Sequence, residues 1–184
     1  MAKLWAKYNQ FLDAQPILCK ALTSLTGFTI GDILAQKFIN PEADYDVMRT
    51  IRLGSFGLLF HGPSGHYFYG FLDSKIVGTS TQAVATKVAI DQLFWNPIFG
   101  TVFFTYLGLA EGKSGGEIVN KIKSDLKTAV MGSWTVWVPA HIINFKFVPS
   151  SQRLLYINTI QIGYNIFLSF LGNKSADEPE KKEV

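Results

Sequence analysis

An all-α, polytopic membrane helix bundle is the fold class this sequence predicts, and the distribution of charge is the main reason. No Lys, Arg, Asp or Glu occurs at 53–72, 92–110, 128–145 or 154–173, runs of 20, 19, 18 and 20 residues. A helix rises ~1.5 Å per residue, so each run can cross the ~30 Å hydrocarbon core of a bilayer. A fifth stretch, 17–36, is apolar except for Lys20 near its start and Asp32 near its end. The remaining charges gather in short connectors and at the C-terminus. A soluble amphipathic helix shows charge on one face within every two turns, and these runs do not.

The preferred count is four transmembrane helices plus a shorter, broken or tilted helical segment, preceded by an N-terminal amphipathic helix. Residues 1–173 are expected to form a single integral membrane domain, and 174–184 a polar disordered tail. Composition alone would not say this: 48% hydrophobic residues and a mean hydropathy of +0.18 also suit a soluble domain. The net charge of +3 is spread out rather than concentrated in a basic patch, which argues against nucleic-acid binding. The single cysteine, Cys19, offers no internal disulfide and no metal-ligand spacing. The N-terminus has neither a signal peptide nor an Arg-rich presequence, so insertion is expected to rely on internal segments.

Taken in order, Leu4, Trp5, Tyr8, Phe11 and Leu12 share one helical face, as in a helix lying in the membrane interface or packed on the bundle. Pro16 suits the start of the first span. Thr23, Gly27, Gly31 and Ala35 then recur every fourth residue, a strip of small side chains that lets a second helix backbone approach. Asp32 and Gln36 lie on an adjacent face with Thr29. Asn40-Pro41 ends the helix, and 42–52 reads as a polar connector. The second span holds His61-Gly62-Pro63, which predicts a kink or break, and beyond it His66, Tyr69 and Asp73 align. The third helix starts ahead of its charge-free run, because Lys87 and Asp91 sit one turn apart, and Asn96-Pro97 is expected to bend it. Residues 111–127 form a charged connector with a turn or two of amphipathic helix at Ile118, Ile122 and Leu126. Pro139, Lys146 and Pro149 weaken the next run as a span.

Chemistry-bearing motifs are few. Gly112-Lys113-Ser114 resembles the end of a phosphate-binding loop, but Leu107 stands where the motif needs glycine. His61 and His66 have the wrong spacing for a helical zinc pair, and no nucleophile elbow is present. The buried polarity is more telling. An ionisable group inside a span costs ~2.5–3.5 kcal/mol or more if it faces lipid, so it faces a partner or a watery cavity. Asp32, His66, Asp91 with Gln92, and His141 are candidates. Trp137, His141 and Asn144 share one face with Trp134, and Asn158, Gln161 and Asn165 share another with Ser169. These faces suggest either an internal hydrophilic path or interhelical hydrogen bonding without a lumen. Arg49, Arg52 and Lys87 are the expected partners of Asp32 and Asp91, and His141 is the group whose charge would respond to falling pH.

In order along the chain come Pro16, Gly31-Asp32 with Gln36, and Arg49 and Arg52 before Gly54. His61-Gly62-Pro63, His66-Tyr67-Phe68-Tyr69, Leu72-Asp73, Asp91-Gln92 and Pro97 follow. Then come Trp134, Trp137, Pro139, His141, Asn144-Phe145, Val148-Pro149 and Arg153, with Tyr164-Asn165 and Leu168-Ser169 last. This series, covering almost the whole chain, resembles the Mpv/PMP family of small integral membrane proteins of peroxisomes and inner mitochondrial membranes. Many members place proline directly after the tryptophan, where Val138 stands here, and glutamine where His141 stands. Phe68-Tyr69 replaces a Trp-Tyr pair, and Tyr164 a tryptophan. The pattern is nearest the peroxisomal branch.

The resemblance implies a bundle of four membrane-spanning helices, no cofactor and no catalytic residue. It also implies a pore for small hydrophilic solutes in an organelle membrane, peroxisomal first and mitochondrial inner membrane second. The alternative is a non-conducting scaffold or organelle-maintenance protein. Expected partners are the lipid bilayer, small hydrophilic solutes and a second copy of the chain.

Overall fold

The computed structural model describes residues 2–39 and 44–177, with side chains through Asn165 except that of Ile39. Among these residues the structure is helical and contains no strand. A short helix, α1 (Ala2–Ala14), leads into α2 (Pro16–Ile39). Next come α3 (Val47–Phe56), a π-helical turn (Gly57–His61) and α4 (Gly62–Lys75), which run on as one rod. A second composite rod joins α5 (Thr81–Ile90), a π-helical turn (Asp91–Trp95) and α6 (Asn96–Ala110). Helix α7 (Gly115–Phe147), a 3₁₀ turn (Ser150–Gln152) and α8 (Arg153–Asp177) complete the chain.

Local chemistry sets these boundaries. The side chains of Asp46, Ser80 and Ser114 accept hydrogen bonds from the backbone N–H groups of Arg49, Ala83 and Glu117, satisfying donors that a first helical turn leaves free. At Ser114 the Glu117 carboxylate reaches back to the Ser114 N–H at 2.8 Å, completing a capping box. Gly78 (φ 88°) and Gly112 (φ 73°) supply the left-handed backbone of the connectors.

The prolines do not break their helices. Pro63 and Pro97 each lie just after a π-helical turn closed by a bond from residue i+5, Gly62 N–H to Gly57 O and Asn96 N–H to Asp91 O. A proline clashes with the carbonyl four residues back, and the wider turn relieves that clash within a continuous rod. Pro139 is likewise inside α7, which is 33 residues long and unbroken. The expected broken segment is therefore a full-length helix. The expected connector at 111–127 shrinks to 111–114, because Ile118 packs against Gly108 and Leu126 against Gly100, holding α7 along α6. Helix α8 takes in 174–177, the first part of the expected tail, and 178–184 lie outside the described residues.

Five rods thus lie side by side, each about 36 Å long or more at ~1.5 Å per residue. Contacts Gly57–Ser24 and Gly62–Ala21 run α3–α4 antiparallel to α2, whereas Gly27–Asn158 and Gly31–Asn165 run α8 parallel to it. Helix α1 takes the second of its two expected settings, packed on the bundle through its C-terminal half. Leu12 is buried, Tyr8 bonds to Thr23 (3.4 Å) and Asn9 to Gln152 (2.7 Å), while Leu4 and Trp5 stay exposed.

The bundle buries many polar groups beside its apolar core and turns large apolar side chains outward. Phe38, Leu59, Tyr67, Phe71, Leu93, Phe94, Ile98 and Leu109 point outward, while Ser24, Asp32, Lys87, Asp91, His141, Asn144 and Asn158 are buried. That inverts the soluble pattern, in which buried polar groups and large exposed apolar patches are both unusual. By length and composition, Pro16–Phe38 and Thr81–Ala110 qualify as membrane spans.

The small-residue strip can be tested directly. A Cβ on Gly31 would lie 2.7 Å from the Asn165 side chain and 3.4 Å from the Ile162 backbone, while Leu22 is part-exposed. Gly31→Leu is expected to lower resistance to proteolysis in detergent, and Leu22→Phe to leave it near wild type. Equal tolerance would place this face against lipid.

Candidate functional site

Between the rods lies a cavity of about 360 Å³. Its aromatic wall comes from Phe28, Trp95, Phe99, Phe103 and Phe104, and its polar wall from Asp91, Gln92, Asn96, Ser133, His141, Gln161 and Asn165, with Trp137 and Tyr164 beside them. The polar wall is made of two bonded sets, Asp91–Gln92–Asn96–Ser133–His141 and Gln161–Asn165. The Gln92 amide donates to Asp91 Oδ1 (2.6 Å), and the Asn96 amide donates to Gln92 Oε1 (3.2 Å) and Ser133 Oγ (2.9 Å). His141 Nε2 lies 3.3 Å from Asp91 Oδ1, and Gln161 donates to Asn165 Oδ1 at 2.6 Å. Asp91 Oδ2 and His141 Nδ1 are buried without a hydrogen-bond partner, so the pair leaves one acceptor oxygen and one ring nitrogen unsatisfied. The π-helical turn starting at Asp91 begins this wall, giving that carboxylate and Gln92 buried positions.

Six of the sequence-predicted residues therefore meet at this cavity: Asp91, Gln92, Trp137, His141, Gln161 and Asn165. The others do not line it. Asp32 is fully buried near the other end of α2, where its carboxylate accepts from Thr50 (2.6 Å) and Gln36 (2.7 Å) and pairs with Arg49 Nε at 2.9 Å. Arg49 is thus the expected partner, and Arg52 is not: its Nε is buried without one. Lys87 turns from Asp91 to Asp73 at 2.7 Å, because α4 brings a carboxylate closer than the one on its own helix. His66 Nδ1 meets Lys20 Nζ at 3.1 Å. Asn158 donates to Ser24 Oγ (3.1 Å), and Asn144 is wholly buried with its amide unbonded. Gly27 and Gly31 lie on the α2–α8 contact, and the Ser169 side chain is outside the described residues.

Sequence reasoning missed Asn96, Ser133 and the Ser24–His61 hydrogen bond (2.9 Å) at the cavity edge. Asn96 follows Gln92 by four residues, a spacing that marks one helical face. Nothing local points to Ser133. Among the described residues, no group of three His, Cys, Asp or Glu could hold a metal ion.

A helical bundle with an apolar exterior and hydrogen-bonded polar groups inside has the build of an integral membrane protein. The model of the Mpv17 / PMP22 family matches residues 108–169. The chain is 33% identical to PXMP2/4 family protein 4 of Dictyostelium discoideum, covering 88% of this chain and 89% of that one. It is 33% identical to Protein SYM1 of Eremothecium gossypii, over 92% and 96% of the two chains. It is 29% identical to mitochondrial inner membrane protein Mpv17 of Xenopus laevis, over 95% and 100%. No solved structure matches the chain. The chain belongs to the Mpv17 / PMP22 family of membrane proteins.

Proposed function

We propose that the bundle is a pore for small hydrophilic solutes in an organelle membrane. The observation that carries this reading is a cavity with one hydrogen-bonding wall and one aromatic wall, set between rods whose outer faces are apolar. A group such as Asp91 is costly to bury in a lipid-facing bundle, and its retention beside free space suits a watered path. The reading assigns the chain no reaction and no cofactor. Its partners are lipid, small hydrophilic solutes and a second copy of the chain. The peroxisomal membrane is proposed first, on the sequence pattern at Val138, and the mitochondrial inner membrane second. A fluorescent tag imaged beside markers of both organelles separates them.

We further infer that all five rods cross, one more than the preferred count of four. Helices α2 and α8 run parallel, and α2 itself meets the length and apolarity of a span. An odd number of crossings puts the termini on opposite sides of the membrane. Protease protection of tags at the two ends checks this, and termini on the same side would restore four.

The function is tested in planar bilayers and by labelling. Purified protein is expected to conduct. In a Cys19→Ser background, cysteine at 141, 161 or 165 is expected to react with water-soluble thiol reagents and lose flux. Cysteine at 144 is expected to stay unreactive, since Asn144 does not line the cavity. No conductance together with protection at all four positions would favour the scaffold reading. Interhelical clusters such as Ser24–His61–Asn158 would then serve packing alone.

A further inference from the structure

The cavity ends in apolar packing on the side of α4, α5 and the start of α8. Tyr69 and His141 line it, and one turn further along their helices stand Leu72 and Phe145. Both are 0% exposed, and with Leu154, Val84 and Val88 they belong to one continuous core. The Phe145 ring stacks on His141 with centroids 5.6 Å apart and lies 6.0 Å from the Tyr69 ring, directly over the cavity's end.

Beyond this plug is a clasp made by one carboxylate. Asp73 Oδ1 receives Lys87 Nζ at 2.7 Å, and Asp73 Oδ2 receives the Ser150 hydroxyl at 2.5 Å, with Arg153 Nε 3.0 Å away. These groups belong to α4, α5, the 3₁₀ turn and α8, so a single side chain ties together four elements at that end, while Lys146 at the end of α7 donates to the Thr79 carbonyl (2.8 Å). The clasp also presses on the plug, because the Arg153 guanidinium lies 4.8 Å and the Lys87 ammonium 5.9 Å from the centre of the Phe145 ring. Aromatic faces attract cations within ~6 Å, so latch and plug reinforce each other.

We propose that the Phe145 plug and the Asp73 clasp form the gate of this pore, and that the structure holds it shut. The inference rests on the pore reading and adds how the path is regulated. An apolar constriction bars solutes by excluding water, and a modest shift of its walls rewets it. The beginning of α8 must move away from α4 and α5 for that to happen. Asp73, half-buried at the bundle's end, is the point at which ion pairing sets the balance between the two states.

The test uses purified full-length protein in planar bilayers. Asp73→Asn removes the charge that holds both cations, and Phe145→Ala removes the plug. Each is expected to raise conductance on the order of tenfold, a shift typical of coupling in a two-state element. Phe145→Leu, which keeps apolar bulk, should stay near wild type. Asp73→Cys with Ser150→Cys in the Cys19→Ser background supplies the opposite arm. Bridging the pair by oxidation or a short bifunctional thiol reagent should abolish the current, and reduction should restore it. Should Asp73→Asn fail to fold, Ser150→Ala carries the same expectation at smaller size. A wild-type protein that conducts while Phe145→Ala and the bridged pair leave the current unchanged overturns the gate and spares the pore. A wild type and a folded Phe145→Ala variant that both carry no current overturn the pore reading itself.

Discussion

Gly62→Ala is expected to destroy the assembled bundle, although alanine is the better helix former. A Cβ at residue 62 would stand 2.4 Å from Ala21 Cα and 2.7 Å from the Ala21 backbone nitrogen. Both are main-chain atoms of α2, so no rotamer change makes room, and α4 must move off α2 as a body. Overpacking costs ~1–3 kcal/mol where side chains can adjust, and more is expected here because they cannot. That is a large share of a total stability of ~5–15 kcal/mol. Gly70 supplies the control, since a Cβ there meets nothing within 4 Å. Gly70→Ala should be neutral or stabilising by up to ~1 kcal/mol, the propensity difference between the two residues. Opposite signs for the two substitutions, read as detergent-denaturation midpoints, are the expected result. Equal midpoints would mean that α2 and α4 do not approach this closely.

Asp32→Leu comes second in expected size. The carboxylate serves three donors at once, and it is the joint between α2 and α3. Leucine would take from Thr50 its short hydrogen bond, from Gln36 one of its acceptors and from Arg49 its counter-ion. Breaking a buried pair costs ~3–5 kcal/mol, but the half-exposed Arg49 can hydrate, which places the loss nearer ~2–3 kcal/mol. Adding Arg49→Leu to Asp32→Leu should then cost much less than Arg49→Leu costs in the wild type, a coupling that a double-mutant cycle measures. Strict additivity of the two changes would remove Arg49 as the partner.

The rods were legible because a helix facing lipid excludes charge over long runs, and the sequence displays such runs at 53–72, 92–110, 128–145 and 154–173. The inward facing of Asp32 and Asp91, and the partnership of Asp32 with Arg49, follow from the same exclusion. Depth was harder to read than facing. Trp137, His141 and Asn144 share a helical face, yet Asn144 sits a layer beyond the cavity, level with Phe145. Asn158 and Asn165 also share a face, but Asn158 is diverted to Ser24 on the closely packed α2. Lys87 was misassigned because sequence spacing displays only partners on the same helix, and Asp73 arrives from another rod. The closest backbone contacts escaped notice for a different reason. Gly54, Gly57, Gly62 and Gly65 face α2 and α8 on a rod whose period shifts partway, so no regular four-residue spacing advertises them.

That shift in period has a consequence for how the chain tolerates changes in length. Each π-helical turn holds one residue more than a regular helix would need over the same rise. Deleting a single residue from 57–61 would let the segment wind as ordinary α-helix while everything after it kept nearly the same phase, because five residues of π-helix and four of α-helix both sweep roughly 400°. Tyr69, Leu72 and Asp73 would keep facing their partners, and the cost would fall on 57–61 and on Pro63, which loses the wider turn before it. A deletion in the regular helix beyond, at 66–68, would instead swing everything after it by about 100°. Each composite rod therefore behaves as two reading frames joined by one spare residue, and a one-residue deletion at 57–61 should cost less than the same deletion at 66–68.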